Sequence, residues 1–447
     1  MAGVFSSVAD FALNRSADEM PDSAKKAAAL MMLDTMGILI ASGPMEAGVI
    51  ARDAAALLYA SSDARFSARM AFDGRSVSMA GAAFAGATQI DNLDGHDGYQ
   101  PTKGHIGVVV LPALIALAEH CPDLTGPDAL ATVITGYEIA GRAGLSLHAS
   151  VSDYHTSGAW NALGVVAMAA RLRGHTPNKL RQAMGIAEYH GPRSQMMREI
   201  ANPTMLHDGS GWGAMVGLSA AILAERGFTG APAITIEAES AATHWADLGQ
   251  FWQVEHQYVK PYPICRWAHA SIDAVRLVMR DNNLTNTQIR SVQINTFHQA
   301  ACLYAGMPAT TSQAQYSLPF AVAAQAIHGR IGVEHISGSG LSDPAIAEFI
   351  PRIHVTETDR HNTRFPVGRW ADVTIETTDG QVLKSEDVHA RGGPEAPMQR
   401  DEVIDKYLEF AVPVIGLARA EAIRDVVLGW VAPGSRFSDL SPLIFEP

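Results

Sequence analysis

Six stretches in the first half of the chain repeat apolar residues at mixed spacings of three and four: residues 22 to 40, 76 to 90, 107 to 120, 126 to 147, 158 to 173 and 211 to 226. That period belongs to the α-helix. Several of these stretches, IGVVVLPALIALA (106 to 118) above all, are apolar nearly all round, which suits a helix enclosed by other helices. A large helical domain is therefore predicted. Hydrophobic residues make up 47% of the chain and charged residues 18%, enough apolar side chains for such a core, and 447 residues suit two domains.

Helix starts are marked by Asp22 and Ser23 before AKKAAALMML, by Thr125 before GPDALATVI, and by Thr176 with Pro177 before NKLRQAMGIA. From about residue 266 the texture changes. RSVQINTF (290 to 297) and RWADVTIETTDGQVLKSE (369 to 386) alternate β-branched residues, and the second predicts a hairpin turning at Asp379-Gly380. YSLPFAVAAQAIHG (316 to 329) returns to helix, as does the tail from PMQRDEVIDKYLEF onward. The predicted fold is mainly α: an all-helical domain from residues 1–265 and 400–447, and a smaller α+β domain from residues 266–399.

The net charge of -13 argues against a nucleic-acid surface, because phosphate binding needs a concentrated lysine and arginine field. Cys121, Cys265 and Cys302 form neither a disulfide framework nor a C-x-x-C pair, which fits a reducing compartment. MAGVFSSVADFALNRSADEMPD lacks a basic region followed by an apolar one, so no secretory signal is read and a cytoplasmic location is expected. The apolar runs fall short of the roughly 20 residues that span a bilayer, so no membrane segment is expected.

Glycine-rich DGSGWGAMVG (208 to 217) fails as a dinucleotide fingerprint, since Ala214 stands at the third glycine position and NPTMLHD, not a strand, precedes it. Close helix packing is the simpler reading. None of the 17 histidines forms H-E-x-x-H. His96 and His105 lie among Asp91, Asp94 and Asp97, a grouping that suits either a divalent ion or acid-base work; its irregular spacing favours the second, and no metal is assigned. There is no G-x-S-x-G elbow, and Cys265 reads by itself as a small buried residue. Three stretches then join polar loops to apolar helices: QIDNLDGHDGYQPTKGH (89 to 105), SDYHTSGAW (152 to 160) and VKPYPICRWAHASIDA (259 to 274). Taken singly, each has a bland alternative. His155 reads as a histidine at a helix entry, Lys260 as a solvated lysine before Pro261, and the aspartate-rich loop as a hydrated connector.

Taken together these stretches resemble the MmgE/PrpD family, which includes 2-methylcitrate dehydratase, cis-aconitate decarboxylase and iminodisuccinate epimerase. The likeness runs over nearly the whole chain. It takes in LDTMGILIASG (33 to 43), the Asp91-to-His105 loop with VVVLPALIALAE, GYEIAGRAG (136 to 144) and YHTSGAWNALGVVAMAARLRG (154 to 174). It continues through AMGIAEYHG (183 to 191), LHDGSGWGAMVG (206 to 217), VKPYPICRWAH (259 to 269), YSLPFAVAAQAIHG and RGGPEAPM (391 to 398).

The resemblance implies a helical domain with an α+β lid domain, a homodimer, a small anionic carboxylate substrate, and an acid-base site between the domains that uses no organic cofactor. It places the family's leading loop aspartate on Asp91, the histidine ending that loop on His105, the histidine opening the next motif on His155, and the lysine of the K-x-[YF]-P motif on Lys260. The family's reactions share one difficult step, forming or quenching a carbanion beside a carboxylate. That step asks for a base near neutral pKa and for groups that hold the developing enediolate charge. His155 and Lys260 are the expected proton-transfer groups, with Asp91 tuning the site. His105, Lys103 and Arg266 are expected to meet substrate carboxylates, with Tyr154, His96 and Cys265 beside them. Members also often carry a lysine shortly before the LH pair, where this chain has Thr204, and a loop threonine of the dehydratase and decarboxylase branches is replaced around Gly95 and His96. These departures favour an epimerase of iminodisuccinate type over a 2-methylcitrate-type dehydratase or a cis-aconitate-type decarboxylase. A non-catalytic scaffold or binding protein with the family fold is the alternative of another class.

Overall fold

Residues 2–446 are described by a computed structural model, whose chain divides after Gln257 and again after Met398. The first unit takes Met1–Glu199, Leu206–Gln257 and Gln399–Pro447; the second takes Ile200–Met205 and Tyr258–Met398. The sequence reading put the first break later, at 265. The segment in between follows the second unit because its backbone is bonded there: Val259 N–H donates to the Gly392 carbonyl (2.9 Å) and Cys265 N–H to that of Gln315 (2.8 Å).

The first unit begins with helices α1 (Ala2–Asn14), α2 (Asp22–Ser42) and α3 (Glu46–Leu58). A short antiparallel hairpin follows, β1 (Ser67–Arg69) with β2 (Ser76–Ser78). Then come α4 (Met79–Leu93), α5 (Gly107–Ala118), α6 (Gly126–Ser150), α7 (Gly158–Leu172), α8 (Pro177–His190) and α9 (Ser210–Glu225). Every residue of α5 is buried, as its all-round apolar sequence requires, and each such valine or leucine gains roughly 1.5–3 kcal/mol by leaving water. α7 packs on α5, α6 and α9, and α9 packs on α4 as well. Thr125 and Thr176 accept the Asp128 and Lys179 N–H groups, which fixes the starts of α6 and α8.

Two local differences from the sequence reading matter. The large domain is not all helical, since β1 and β2 interrupt it, and residues 76 to 78 form a strand where a helix was predicted. Ser78 instead caps α4, accepting the Gly81 N–H at 3.1 Å. At its other end α4 runs on to Leu93, so Asp91 stands on a helical last turn, and Asp94 stops the helix in the left-handed region at φ 51°.

The second unit contains α10 (Arg266–Asp281), β3 (Ile289–Thr296), α11 (Leu318–His328), β4 (Ile353–Glu357), β5 (Trp370–Thr377), β6 (Val382–Lys384) and β7 (Val388–His389). The sheet order is β4-β3-β5-β6, with β4 parallel to β3, the other neighbours antiparallel, and β7 also on β5. Buried residues alternate along β5, and α10 packs on that strand. Gly380, at φ 91°, turns β5 into β6. The tail returns to the first unit as α12 (Arg400–Ile415), which packs along α2, and α13 (Leu417–Gly429). Among the described residues no single helix is long and apolar enough to cross a membrane.

Candidate active site

Three helices of the first unit, α5, α7 and α9, start within hydrogen-bonding reach of one another. The His105 N–H, just before α5, donates to Ser157 Oγ at 2.9 Å. Ser157, which precedes α7, in turn gives its N–H and its hydroxyl to Asp208 Oδ1, both at 3.0 Å. At the head of α9, the Ser210 N–H and hydroxyl donate to the two oxygens of Asp91 at 2.8 and 3.2 Å. Asn161 closes the ring, its amide reaching the His105 carbonyl and Ser210 Oγ at 3.3 Å each. So close an approach needs glycine: a Cβ on Gly213 would lie 3.0 Å from the Gly158 Cα. The glycines of DGSGWG thus serve helix packing.

Helix starts carry partial positive charge, and Asp91 and Asp208 occupy it as capping carboxylates. Capping explains their positions. Both are also buried. Burial first, then the neighbouring Asp208 and Asp94, push Asp91 well above the usual carboxylate range. Both effects favour its protonated form. His96 Nε2 stands 3.6 Å from Asp91 Oδ1, and the His96 and His105 rings lie 4.4 Å apart.

The loop from Asp94 to Ile106 folds back on itself, with the Tyr99 N–H bonded to the Gly104 carbonyl at 2.8 Å. His105 Nδ1 consequently meets the Asp97 carbonyl at 2.6 Å, and its Nε2 faces Asp208 Oδ2 at 3.3 Å. Below the loop Lys406 of α12 bonds both Asp34 (2.6 Å) and the Gly95 carbonyl (2.7 Å). Asp97 Oδ2 accepts the Tyr137 hydroxyl at 2.9 Å and the Gly107 N–H at 3.3 Å, while burial pushes its carboxyl up to about 7.

A second arm reaches the same helix starts. His155, half-buried, pairs in an isolated bridge with Gln195 and donates its N–H to His148 Nε2 at 3.3 Å. Burial and then the nearby Lys103 lower His148 to about 4, so its ring stays neutral and can accept that bond. The Tyr154 hydroxyl bonds the Lys103 carbonyl, and the Lys103 ammonium stands 4.5 Å from the Tyr154 ring centre. Six predicted residues, Asp91, His96, Lys103, His105, Tyr154 and His155, therefore belong to the first unit and gather around these loops.

The other three lie in the second unit. Lys260 is 1% exposed. Arg266 donates to the carbonyls of Arg391 (2.8 Å) and Ala390 (3.1 Å) and stacks 4.1 Å over Tyr258; burial lowers it to about 10, which leaves it charged. Cys265 is buried beside it. His269 donates to the Ile264 carbonyl at 2.8 Å, and burial, followed by Arg266 and Lys260, holds it well below the usual histidine range. Asp273 is shared by Arg391 (3.3 Å) and Arg276 (3.7 Å).

Asp208, Ser157, Ser210 and Lys406 were not singled out in sequence. Asp208 did carry a signal, an acidic residue two places before a helix start, but the surrounding glycines drew attention to nucleotide binding instead. Among the described residues, the three ligand-type side chains within metal-binding reach of one another are His361, Asp372 and Asp387 of the second unit, where Arg360 already engages both carboxylates.

Residues 6–278 match the MmgE/PrpD N-terminal domain and residues 262–431 the MmgE/PrpD C-terminal domain. A cis-aconitate decarboxylase of Aspergillus terreus is 24% identical over 407 residues, covering 82% of this chain and 79% of its own. A second cis-aconitate decarboxylase, from a named strain of the same species, is 25% identical with the same coverage.

Proposed function

Because the chain belongs to the MmgE/PrpD family, we propose that it is a lyase of dehydratase or decarboxylase type that moves a proton at a carbon beside a carboxylate of a small di- or tricarboxylic acid. The observation that carries this reading is Asp91, a buried carboxyl whose protonated form is favoured by burial and by the nearby Asp208, with His96 Nε2 3.6 Å away. Both lyase reactions need such a donor. In decarboxylation the C–C bond to the departing carboxylate breaks, its electron pair stays on the substrate carbon, and a proton must be delivered there. In dehydration a base takes the proton beside the carboxylate while an acid protonates the leaving hydroxyl, which departs as water. His155 is the proposed base, Asp91 the acid relayed through the histidines, and Lys103 a cation for a substrate carboxylate. Lys260 is proposed as a second proton-transfer group, and Arg266, Tyr154, His96 and Cys265 as substrate-binding residues.

An epimerase of iminodisuccinate type is the second reading. It rests on Thr204, which stands where relatives often carry a lysine, and on the two histidine arms, His96 with His105 and His148 with His155, which suit proton transfer at two faces of one carbon.

The deciding experiment incubates the protein in heavy water with cis-aconitate, 2-methylcitrate, citrate and iminodisuccinate separately, following carbon dioxide, alkene absorbance, deuterium uptake and optical rotation. Carbon dioxide or alkene formation supports the lyase. Deuterium uptake with racemisation and neither product replaces it with the epimerase, and inactivity on every acid removes both. His155→Ala, Lys260→Ala and Asp91→Asn are each expected to slow the reaction at least ~100-fold, and near-normal activity would strike that residue from the scheme.

A further inference from the structure

The helices α5, α7 and α9, whose first turns form the candidate active site, also finish together. Leu117 of α5, Leu172 of α7 and Glu225 of α9 line an open cleft of about 480 Å³, within the range of small-molecule sites. With 15 residues in α7, the cleft stands about 22 Å along that helix from Ser157.

The lining is cationic. Arg173, Lys179 and Arg226 face it with His120 and His175, against the single carboxylate of Glu225. That carboxylate is already engaged: Arg173 grips both its oxygens and His175 Nε2 stands 2.9 Å from Oε1. Arg226 and Arg173 flank the Phe66 ring at 5.3 and 5.4 Å. Asp63 is near enough to feel Arg226, but both its oxygens are held by Arg65. Among the described residues no hydrogen bond or ion pair engages the Lys179 ammonium or the Arg226 guanidinium. The buried His175 keeps a further nitrogen, Nδ1, without a partner.

The competing account is that these cations merely complement the negative ends of α7 and α9, since Arg173 and Arg226 directly follow the last helical residues. Complementing a helix end requires charge near its terminal carbonyls. It does not require a cleft, and neither guanidinium bonds a carbonyl there. On a protein of net charge -13, two cations with unused donors facing one open cavity form a local exception. We infer that this cleft binds a small, multiply charged anion, phosphate or carboxylate, between Lys179 and Arg226, at a place separate from the candidate active site.

Cys121 lines the cleft, which supplies a local reporter. The full chain is labelled with N-ethylmaleimide in the presence of pyrophosphate or citrate, and each cysteine is followed by mass spectrometry. Exposed Cys302, in the second unit, is the internal reference. At ten times its dissociation constant the bound anion should slow Cys121 labelling about tenfold and leave Cys302 unchanged. Protection by pyrophosphate alone identifies a phosphate site, by citrate alone a carboxylate site, and by both a site that reads charge. The double variant Lys179→Gln, Arg226→Gln should lose the protection while its Cys121 labels at the wild-type rate without anion. Absence of protection by either anion, or protection that survives in the double variant, would overturn the proposal. So would a double variant that melts earlier in the absence of anion when the wild type gains no thermal stability from either anion, because that is the signature of helix-end complementation. Cys121 reports from the cleft, so none of these outcomes depends on which reaction the candidate active site performs.

Discussion

His105 Nε2 stands 3.3 Å from Asp208 Oδ2 while its Nδ1 lies 2.6 Å from the Asp97 carbonyl oxygen. A carbonyl only accepts, so Nδ1 carries hydrogen, and the approach of Nε2 to a carboxylate then needs one proton between them. Asp208 thus both orients His105 and shares its proton. Asp208→Asn should preserve the shape yet lower kcat about 10–100-fold with a smaller change in KM, and, by removing a charge that raises the Asp91 carboxyl, it should shift the pH-rate profile toward lower pH. Asp208→Ala should also destabilise the fold by about 1–3 kcal/mol, because the Ser157 N–H and hydroxyl lose their acceptor. An Asn variant with an unmoved pH profile would reduce Asp208 to a helix cap.

Lys406 pins the active-site loop from beneath. Its ammonium is 6% exposed, and Asp34 beside it is fully buried, a setting that raises the Asp34 carboxyl despite the attached cation. Lys406→Met should cost about 3–5 kcal/mol by leaving that carboxyl unpaired and should release the Gly95 carbonyl, raising KM. Adding Asp34→Asn should recover part of the stability without recovering KM. Denaturant titration and steady-state kinetics on the single and double variants separate the two effects.

How far the sequence reached depends on how local each determinant was. Asp91, His105 and His155 were legible because each is an ionisable residue next to a turn signal and an apolar helix. Asp208 was harder to find, since its meaning comes from Ser157, 51 residues away. Lys406 carried no local sign at all, for its partner Asp34 is 372 residues distant. Residues 76 to 78 were misread because a strand of three residues is too short to show alternation. The break near 258 depends on Val259 pairing with Gly392, a contact that hydrophobic periodicity does not record. The helical periods of α5, α7 and α9, by contrast, hold over three or more turns and were plain.

A homodimer is proposed, and the first unit offers a face for it. Leu57 and Leu58 at the end of α3 are 81% and 66% exposed, and Trp212 on α9 is 52% exposed. A row of rings joins these sites, Tyr59 to Phe84 at 5.5 Å and Phe84 to Trp212 at 5.3 Å. Such apolar side chains on one surface favour association. Sedimentation should give twice the chain mass, and Leu58→Asp with Trp212→Asp should return it to the single chain with an unchanged circular dichroism spectrum. A wild-type monomer at micromolar concentration would dismiss the dimer, and a double variant that still associates would place the interface elsewhere.

Asp97 makes stability depend on pH in a direction that can be worked out. Its folded carboxyl is raised by burial from 3.8 to about 7, so between roughly pH 4 and 7 the folded state holds a proton that the unfolded state has released. The stabilisation from that proton is full below pH 4, falls as pH rises through the window, and is gone above 7. Asparagine mimics the protonated acid: its carbonyl oxygen can take the Tyr137 hydroxyl and the Gly107 N–H, and its amide can replace the O–H. Asp97→Asn should therefore match the wild type near pH 4 and gain on it steadily to pH 7. Above that the difference should level off at no more than about 4 kcal/mol, the ceiling set by a rise from 3.8 to about 7. Denaturant midpoints of both proteins from pH 4 to 8 measure this directly. A difference independent of pH would mean that Asp97 is ionised throughout, held so by Lys406 and Tyr137, and that the loop is buttressed by a buried charge.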